Sequence, residues 1–127
     1  MLIKSYPLIH RKRRKTKAVG TAALRVVAIE NLDTPAAGVL ECDLVFNTTE
    51  SVPLASAAGA EPSKWTGRYG GVLYTGTSIG VMSFNTLHLL MENPVAQAGD
   101  NELTYAADPS DIGDASGRML AGFEMSL

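Results

Sequence analysis

The sequence has few of the residues from which most active sites and metal centres are built. Its 127 residues include one cysteine, Cys42, and two histidines, His10 and His88. A single cysteine cannot form a disulfide within the chain, and one cysteine with two histidines is too small a set for a zinc site. Acidic residues and then leucines flank Cys42 on both sides, which predicts a buried, unreactive thiol rather than a nucleophile.

Long apolar runs are also missing, and aromatic residues make up only 6% of the chain. No stretch reaches the roughly 18 consecutive apolar residues of a membrane-spanning helix, so we expect no membrane contact. Arg25 interrupts the apolar residues 18–29, and no cleavage pattern follows, which argues against a secretory signal. The chain is instead rich in Gly, Ala, Ser and Thr, a composition typical of a turn-rich β domain.

Acidic residues are absent from the first 29 positions, and basic residues are scarce after position 17. Residues 1–17 contain seven Lys and Arg and carry about +7, whereas residues 18–127 hold four basic against thirteen acidic residues, a formal charge of −9. The net charge of −2 therefore hides two oppositely charged parts. We divide the chain into a basic N-terminal arm with its linker, residues 1–22, and a β domain, residues 23–127.

Alternating or β-branched segments predict most of the strands. The clearest is Val39–Asn47, in which Leu40, Cys42, Leu44 and Phe46 share one face, the pattern of a half-buried antiparallel strand. Further strands are predicted at Leu24–Leu32, Val72–Thr75, Glu102–Ala106 and Arg118–Leu127, the last either paired within the body or completed by a neighbouring subunit. In the last of these, the face with Met119, Ala121, Phe123, Met125 and Leu127 is the apolar one.

Two segments are harder to assign. Ile79–Met91 fits both a helical and an extended pattern; we predict a strand over 79–86, leave 87–91 open, and expect Asn93-Pro94 to end the element. Thr48–Lys64 is long for a structureless loop and holds either a short strand at Val52–Ala55 or a functional loop. Together the segments predict an all-β fold, a small antiparallel β-sandwich or barrel with jelly-roll topology among the options, preceded by an extended arm.

Two motifs resemble functional sites without meeting their requirements. Gly76–Gly80 reads Gly-x-Ser-x-Gly, yet the chain is too short for the parallel sheet of an α/β-hydrolase, and no histidine follows a suitable acid. We therefore interpret Ser78 as a glycine-flanked residue of a β turn, and His88 as a core or interface residue. Asp108, Asp111 and Asp114 lack the spacing of a calcium loop and predict a solvated acidic loop that caps turns. No catalytic residue, metal site or cofactor is predicted.

Residues 10–17, which we call the basic block, are the one strong binding signal in the chain. Such clusters bind phosphate backbones without reading sequence, and they bind acidic protein surfaces equally well. Met1–Ile9, ahead of the block, is mostly apolar and predicts either a tip that docks on a partner or a first strand of the protein's own sheet. The predicted binding residues are the basic residues of the arm: Lys4, Arg11, Lys12, Arg13, Arg14, Lys15 and Lys17.

This layout of basic arm, small β body and terminal alternating strand resembles viral structural proteins, namely small coat proteins and the capsid-decorating proteins of tailed phages. The resemblance rests on layout and composition and transfers no individual residue. It implies a non-enzymatic protein of the virion, made in the host cytoplasm, whose partners are other copies of itself and a major capsid protein, with non-specific nucleic acid as a further contact of the arm. The alternative is a nucleic-acid-binding β-barrel module that places its arm on phosphates.

Overall fold

The computed structural model describes residues 22–57 and 59–127. The seven predicted binding residues of the arm and the apolar segment Met1–Ile9 lie outside these ranges, so the assignments made for them stay predictions.

The described chain forms one curled antiparallel sheet, a half-barrel of seven strands. In spatial order the strands run β1-β2-β5-β4-β3-β6-β7, and every neighbouring pair is antiparallel. Apart from a 3-10 turn at Pro62–Lys64, the described residues contain no helix. The predicted all-β, antiparallel class is therefore confirmed. The strands are β1 (Val26–Asp33), β2 (Leu40–Phe46), β3 (Trp65–Tyr69), β4 (Val72–Ser83), β5 (Thr86–Ala96), β6 (Glu102–Tyr105) and β7 (Phe123–Ser126).

The core lies on the concave side of the sheet, where β2 and β5 contribute alternate residues. Leu40 pairs with Met91, Cys42 with Leu89 and Leu44 with Leu87, and all six side chains are fully buried. Burying an aliphatic side chain of this size contributes about 1.5–3 kcal/mol, so these pairs are a major source of stability. Cys42 itself is fully buried, which confirms that part of the prediction. Burial raises the pKa of its thiol to about 12, with the nearby Asp43 and Glu41 acting in the same direction.

An aromatic cluster fills the other half of the core. Trp65 of β3 stacks on Tyr105 of β6 with ring centroids 4.5 Å apart, and Phe123 of β7 meets the Trp65 ring edge-on at 5.8 Å. Such contacts add to the energy of simple apolar burial. The sequence prediction did not recognise Trp65–Tyr69 as a strand, because its centre is Thr-Gly-Arg and shows no apolar alternation. A Cβ added at Gly67 would lie 2.9 Å from the Met91 sulfur, so the Met91 side chain would have to shift to admit it.

The β4–β5 hairpin corrects two predictions and assigns a segment that was left open. A single strand over 79–86 is wrong, because the chain turns at Phe84-Asn85. Residues 87–91, which were left open, are strand, and β5 continues through Asn93-Pro94 to Ala96. The ladder explains how proline is accommodated: Leu73 pairs with Val95 and Thr75 with Glu92, which places one extra residue in β5. Proline is tolerated at such a bulge because the ladder hydrogen bond is already interrupted.

The Gly-x-Ser-x-Gly motif lies inside β4 and not in a turn, so that prediction for Ser78 is wrong. Gly76 pairs with Met91 and Ser78 with Leu90, which leaves Thr77 as a bulge residue. A Cβ on Gly76 would lie 2.0 Å from the carbonyl oxygen of Pro62, whereas a Cβ on Gly80 would meet nothing within 4 Å. The first glycine of the motif is thus required for close packing of β4 against the 3-10 turn.

Two further segments differ from their predictions. Val52–Ala55 is not a strand; only single bridges occur there, Thr49 with Val52 and Leu54 with Asp114. In the C-terminal segment the strand is limited to Phe123–Ser126. Leu120 is buried and Met119 is 47% exposed, the reverse of the predicted phase. The cause is local pairing with the preceding loop, since Leu120 N–H donates to Ile112 C=O at 2.8 Å.

We predict that Gly76→Ala lowers the free energy of unfolding by about 2 kcal/mol, because the new methyl group overlaps a backbone carbonyl that cannot rotate away. Chemical denaturation of the full chain measures the difference. Gly80→Ala is the matched control in the same strand, where open space and lower entropy of the unfolded chain predict unchanged or slightly higher stability. Equal stability of the two variants would show that the close approach of Gly76 to Pro62 is wrong.

Candidate interaction surfaces

The convex face of the sheet carries a group of acidic side chains, which we call the acidic face. Glu30 of β1 pairs across the ladder with Asp43 of β2, and Asp33 with Glu41, so these four side chains point to the same side. Glu92 of β5 lies on this side as well, because its neighbour Met91 points into the core. The acidic face therefore consists of Glu30, Asp33, Glu41, Asp43 and Glu92.

His88 lies at the centre of the acidic face. Its Nδ1 is 2.8 Å from Asp43 Oδ1 and its Nε2 is 3.3 Å from Glu41 Oε2, while Asn31 Nδ2 donates to Asp43 Oδ2 at 2.7 Å. The hydrogen bonds from His88 and Asn31 hold the pKa of Asp43 below its usual value. The His88 side chain is 40% exposed, so the prediction of a core residue is wrong, and a role at an interface stays a prediction.

No Lys or Arg of the described chain neutralises the acidic face. Three of the four Lys and Arg residues in the described chain form ion pairs away from the acidic face: Lys64 pairs with Asp111, Arg68 with Glu102 and Arg118 with Asp114. The fourth, Arg25, precedes β1 and makes no ion pair with a described residue. A group of carboxylates without a Lys or Arg partner raises the free energy of the isolated domain and attracts a cationic partner.

The acidic loop predicted at 108–117 does cap turns, but it is less exposed than expected. The Asp114 carboxylate is fully buried and accepts hydrogen bonds from the backbone N–H groups of Ser116 and Arg118, at 3.0 Å each, and from the guanidinium of Arg118 at 2.6 Å. Burial alone would raise the pKa of Asp114, but the hydrogen bonds from Ser116 and Arg118 outweigh it and lower the pKa to about 2.

Arg118 also fixes the place where the arm joins the body. Its Nη1 donates to Ala22 C=O at 2.7 Å, and its Nη2 lies 3.4 Å from Asn47 C=O. The buried Asp114 thus holds, through Arg118, both the first described residue and the end of β2. Asn47 contributes from the other side, since its amide donates to Ala23 C=O and accepts from Arg25 N–H.

A groove begins at this junction, and we call it the seam groove. It lies between Ala23–Val26 and Leu120–Met125 and encloses about 370 Å³. Its lining is largely apolar and includes Leu24, Leu120 and Phe123. Among the described residues, β1 and β7 occupy the two ends of the strand order, and each pairs on one side only. The seam groove is therefore the place where the two edges of the half-barrel approach each other.

The arrangement does not assemble a catalytic set from the residues considered in the sequence. Both ring nitrogens of His88 face carboxylates, and the residue across the ladder from His88 on β4 is Gly80, not Ser78. Within 22–57 and 59–127, no group of three or more His, Cys, Asp or Glu side chains is placed to hold a metal ion. Over the same residues, no helix has the length and apolar character needed to cross a bilayer.

Neither the acidic face nor the seam groove was predicted from the sequence, for different reasons. The polar face of β2 was predicted, including Glu41 and Asp43, but Glu30 and Glu92 join it only through the strand order β1-β2-β5, which no local pattern encodes. The seam groove depends on the curl of the whole sheet. The excess of acidic residues after position 17 was the one available signal, and it indicated the sign of the charge without its place.

The low pKa of Asp114 predicts acid sensitivity. A carboxylate whose pKa is lowered by folding stabilises the fold above its unfolded pKa of 3.8, and this contribution is lost as the pH falls toward 2. We expect Asp114→Asn to be less stable than the parent at pH 7 and to lose less further stability between pH 4 and pH 2. Denaturation at a series of pH values measures this. Asp100→Asn, an exposed position, is the control and should follow the parent curve; an identical curve for Asp114→Asn would contradict the role of the buried carboxylate.

Comparisons of the chain with protein-family models, curated proteins and solved structures return no match.

Proposed function

We propose that the protein is a non-enzymatic structural component of a virus particle, a capsid decoration protein or small coat protein, whose basic N-terminal arm joins it to other copies and to a major capsid protein. The observation that carries the self-association is the acidic face: five carboxylates without a Lys or Arg partner among the described residues, all at least partly exposed except the buried Asp43, in a chain whose first 17 residues carry about +7. The assignment to a virion rests on the layout of arm and β body.

The physical argument concerns where the charge of the arm finds a partner. Opposite charges on separate parts of identical chains favour association, because each arm–face contact neutralises charge on both copies. A single exposed ion pair contributes little, about 0.2–1 kcal/mol. Several such pairs per contact, repeated around a symmetric assembly, multiply into a stable particle. The location in the virion and the capsid partner are parts of the same proposal.

The alternative is a nucleic-acid-binding module in which Arg11–Lys17 bind phosphates. The basic block supports that function as well, because Lys and Arg clusters bind backbones of any sequence. The acidic face argues against it for the body of the protein, since it would repel a polyanion. We therefore propose arm-mediated assembly as the function and nucleic-acid binding as the rival that the experiment separates from it.

We predict that the full chain forms oligomers at low ionic strength and that they dissociate as salt is raised toward 1 M, where the screening length falls to about 3 Å. Analytical ultracentrifugation measures the particle size. The double variant Glu30→Gln/Asp33→Asn should weaken association about tenfold, equivalent to about 1.4 kcal/mol. Both residues are exposed on the acidic face.

The matched control is Glu50→Gln/Asp100→Asn, which removes the same charge from exposed positions in the Thr49–Val52 turn and the β5–β6 connection and should associate like the parent. A chain that stays monomeric at every concentration and salt would overturn the proposal. If that monomer binds DNA or RNA oligonucleotides at low salt and loses them when Arg11–Lys17 are changed to glutamine, the nucleic-acid module takes its place.

A further inference from the structure

We propose that the seam groove is the receptor for the arm, and that residues 1–9 of a second copy occupy it as an added β-strand. This inference rests on the proposed function and deepens it, because it assigns a second docking surface to the arm in addition to the acidic face.

The first step is the exposed backbone at the seam. Unpaired strand edges present rows of N–H and C=O groups that can pair with another chain. Strands β1 and β7 are both such edges within the described residues, and the cavity lies between Ala23–Val26 on one side and Leu120–Met125 on the other. A segment entering the groove could extend the ladder from either edge, as peptides do when they add to an exposed sheet, and would carry the half-barrel toward a closed barrel.

The second step is the chemical match between groove and tip. The groove is lined by apolar side chains, and Phe123 at its floor also packs on Trp65, so an occupant would join the core. Residues 1–9 are the most apolar part of the arm, with Leu2, Ile3, Leu8 and Ile9. Nine extended residues span about 30 Å, more than the length of the Ala23–Val26 edge. Pro7 is compatible with an edge strand that pairs along only part of its length.

The third step identifies the copy that supplies the segment. The chain enters the body at Ala22, held by Arg118, and the groove begins one residue later. Residues 10–21 include six Lys and Arg, and like charges in a linker repel one another and favour extension. An extended stretch of 12 residues reaches about 40 Å, which would carry the tip away from its own groove and toward a neighbour's.

The fourth step connects the groove with the acidic face. Strand β1 borders both, because Val26 lines the groove while Glu30 and Asp33 lie on the acidic face further along the same strand. One arm can therefore place its apolar tip in the groove and its basic block against the carboxylates of the same neighbour. Apolar burial would supply affinity, and the charges would select the partner and its orientation.

The experiment uses two versions of the full chain, each with one cysteine added to the native Cys42, that differ in a mass tag. Ile3→Cys is mixed with Ala121→Cys, whose substituted residue lines the groove and is exposed, and the mixture is oxidised mildly. We expect the mixed-mass disulfide dimer as the main product. Ala37→Cys replaces Ala121→Cys in the control mixture, because Ala37 is exposed in the turn at the opposite end of β1; it should give little product. The native Cys42 is fully buried, so the unmodified chain should not cross-link.

A second pair of variants tests the groove without chemistry. Ala121→Arg places a bulky cation in the groove and should weaken association at least tenfold, whereas Ala37→Arg makes the same charge change elsewhere and should not. Circular dichroism confirms that both variants fold.

The outcomes separate the groove from the proposed function. If the chain assembles and needs residues 1–17, but Ala121→Arg associates like the parent and no mixed dimer forms, the groove is not the receptor while the proposed function stands. If an Ile3→Cys/Ala121→Cys chain forms only an internal disulfide at every concentration, the groove holds the chain's own arm, and the inference is wrong. Failure to assemble at all would overturn the proposed function instead.

Discussion

The pairing of β2 with β5 is the interaction on which the rest of the structure depends. It joins the inward-facing apolar residues of two strands, and each of its concave-side pairs is fully buried. Because the side chains of a strand alternate, the same pairing that brings Leu44 onto Leu87 also places Asp43 beside His88 on the other face. Core and acidic face are therefore two consequences of one register, and a shift of one residue would exchange them.

How well each strand could be predicted from the sequence depends on which interactions stabilise that strand. Strand β2 was predicted almost to the residue, because only one of its faces packs into the core and its apolar and polar residues therefore alternate. Strand β3 escaped notice because its centre, Thr-Gly-Arg, shows no apolar alternation, although pairing with β4 and β6 and the buried Trp65 hold it in the sheet. The β4–β5 hairpin was misjudged because its bulges let Pro94 and Thr77 lie within a ladder that an unbroken period of two would not allow.

The glycines of the Gly-x-Ser-x-Gly motif show a further limit of prediction from the sequence. Gly76 and Gly80 suggested a nucleophile elbow only through their spacing around Ser78. In the structure the first is needed because the backbone of Pro62 passes over it, and the second meets nothing. The two glycines therefore share no structural role that would explain their spacing in the motif. Sequence alone could reject the hydrolase on chain length and residue order, but it could not supply the packing reason for the glycine.

The arm and the two surfaces are linked through one buried charge. Asp114 holds Arg118, Arg118 holds the carbonyl group of Ala22, and Ala22 is where the arm meets both the seam groove and the first strand of the acidic face. A charge-assisted contact in a buried setting is stronger and less screened than one on the surface. The Asp114–Arg118 contact should therefore persist at salt concentrations that weaken the exposed charge contacts we propose between the arm and a neighbour's acidic face. Under the proposed function, that difference would let the arm exchange between copies while Arg118 stays fixed on Asp114.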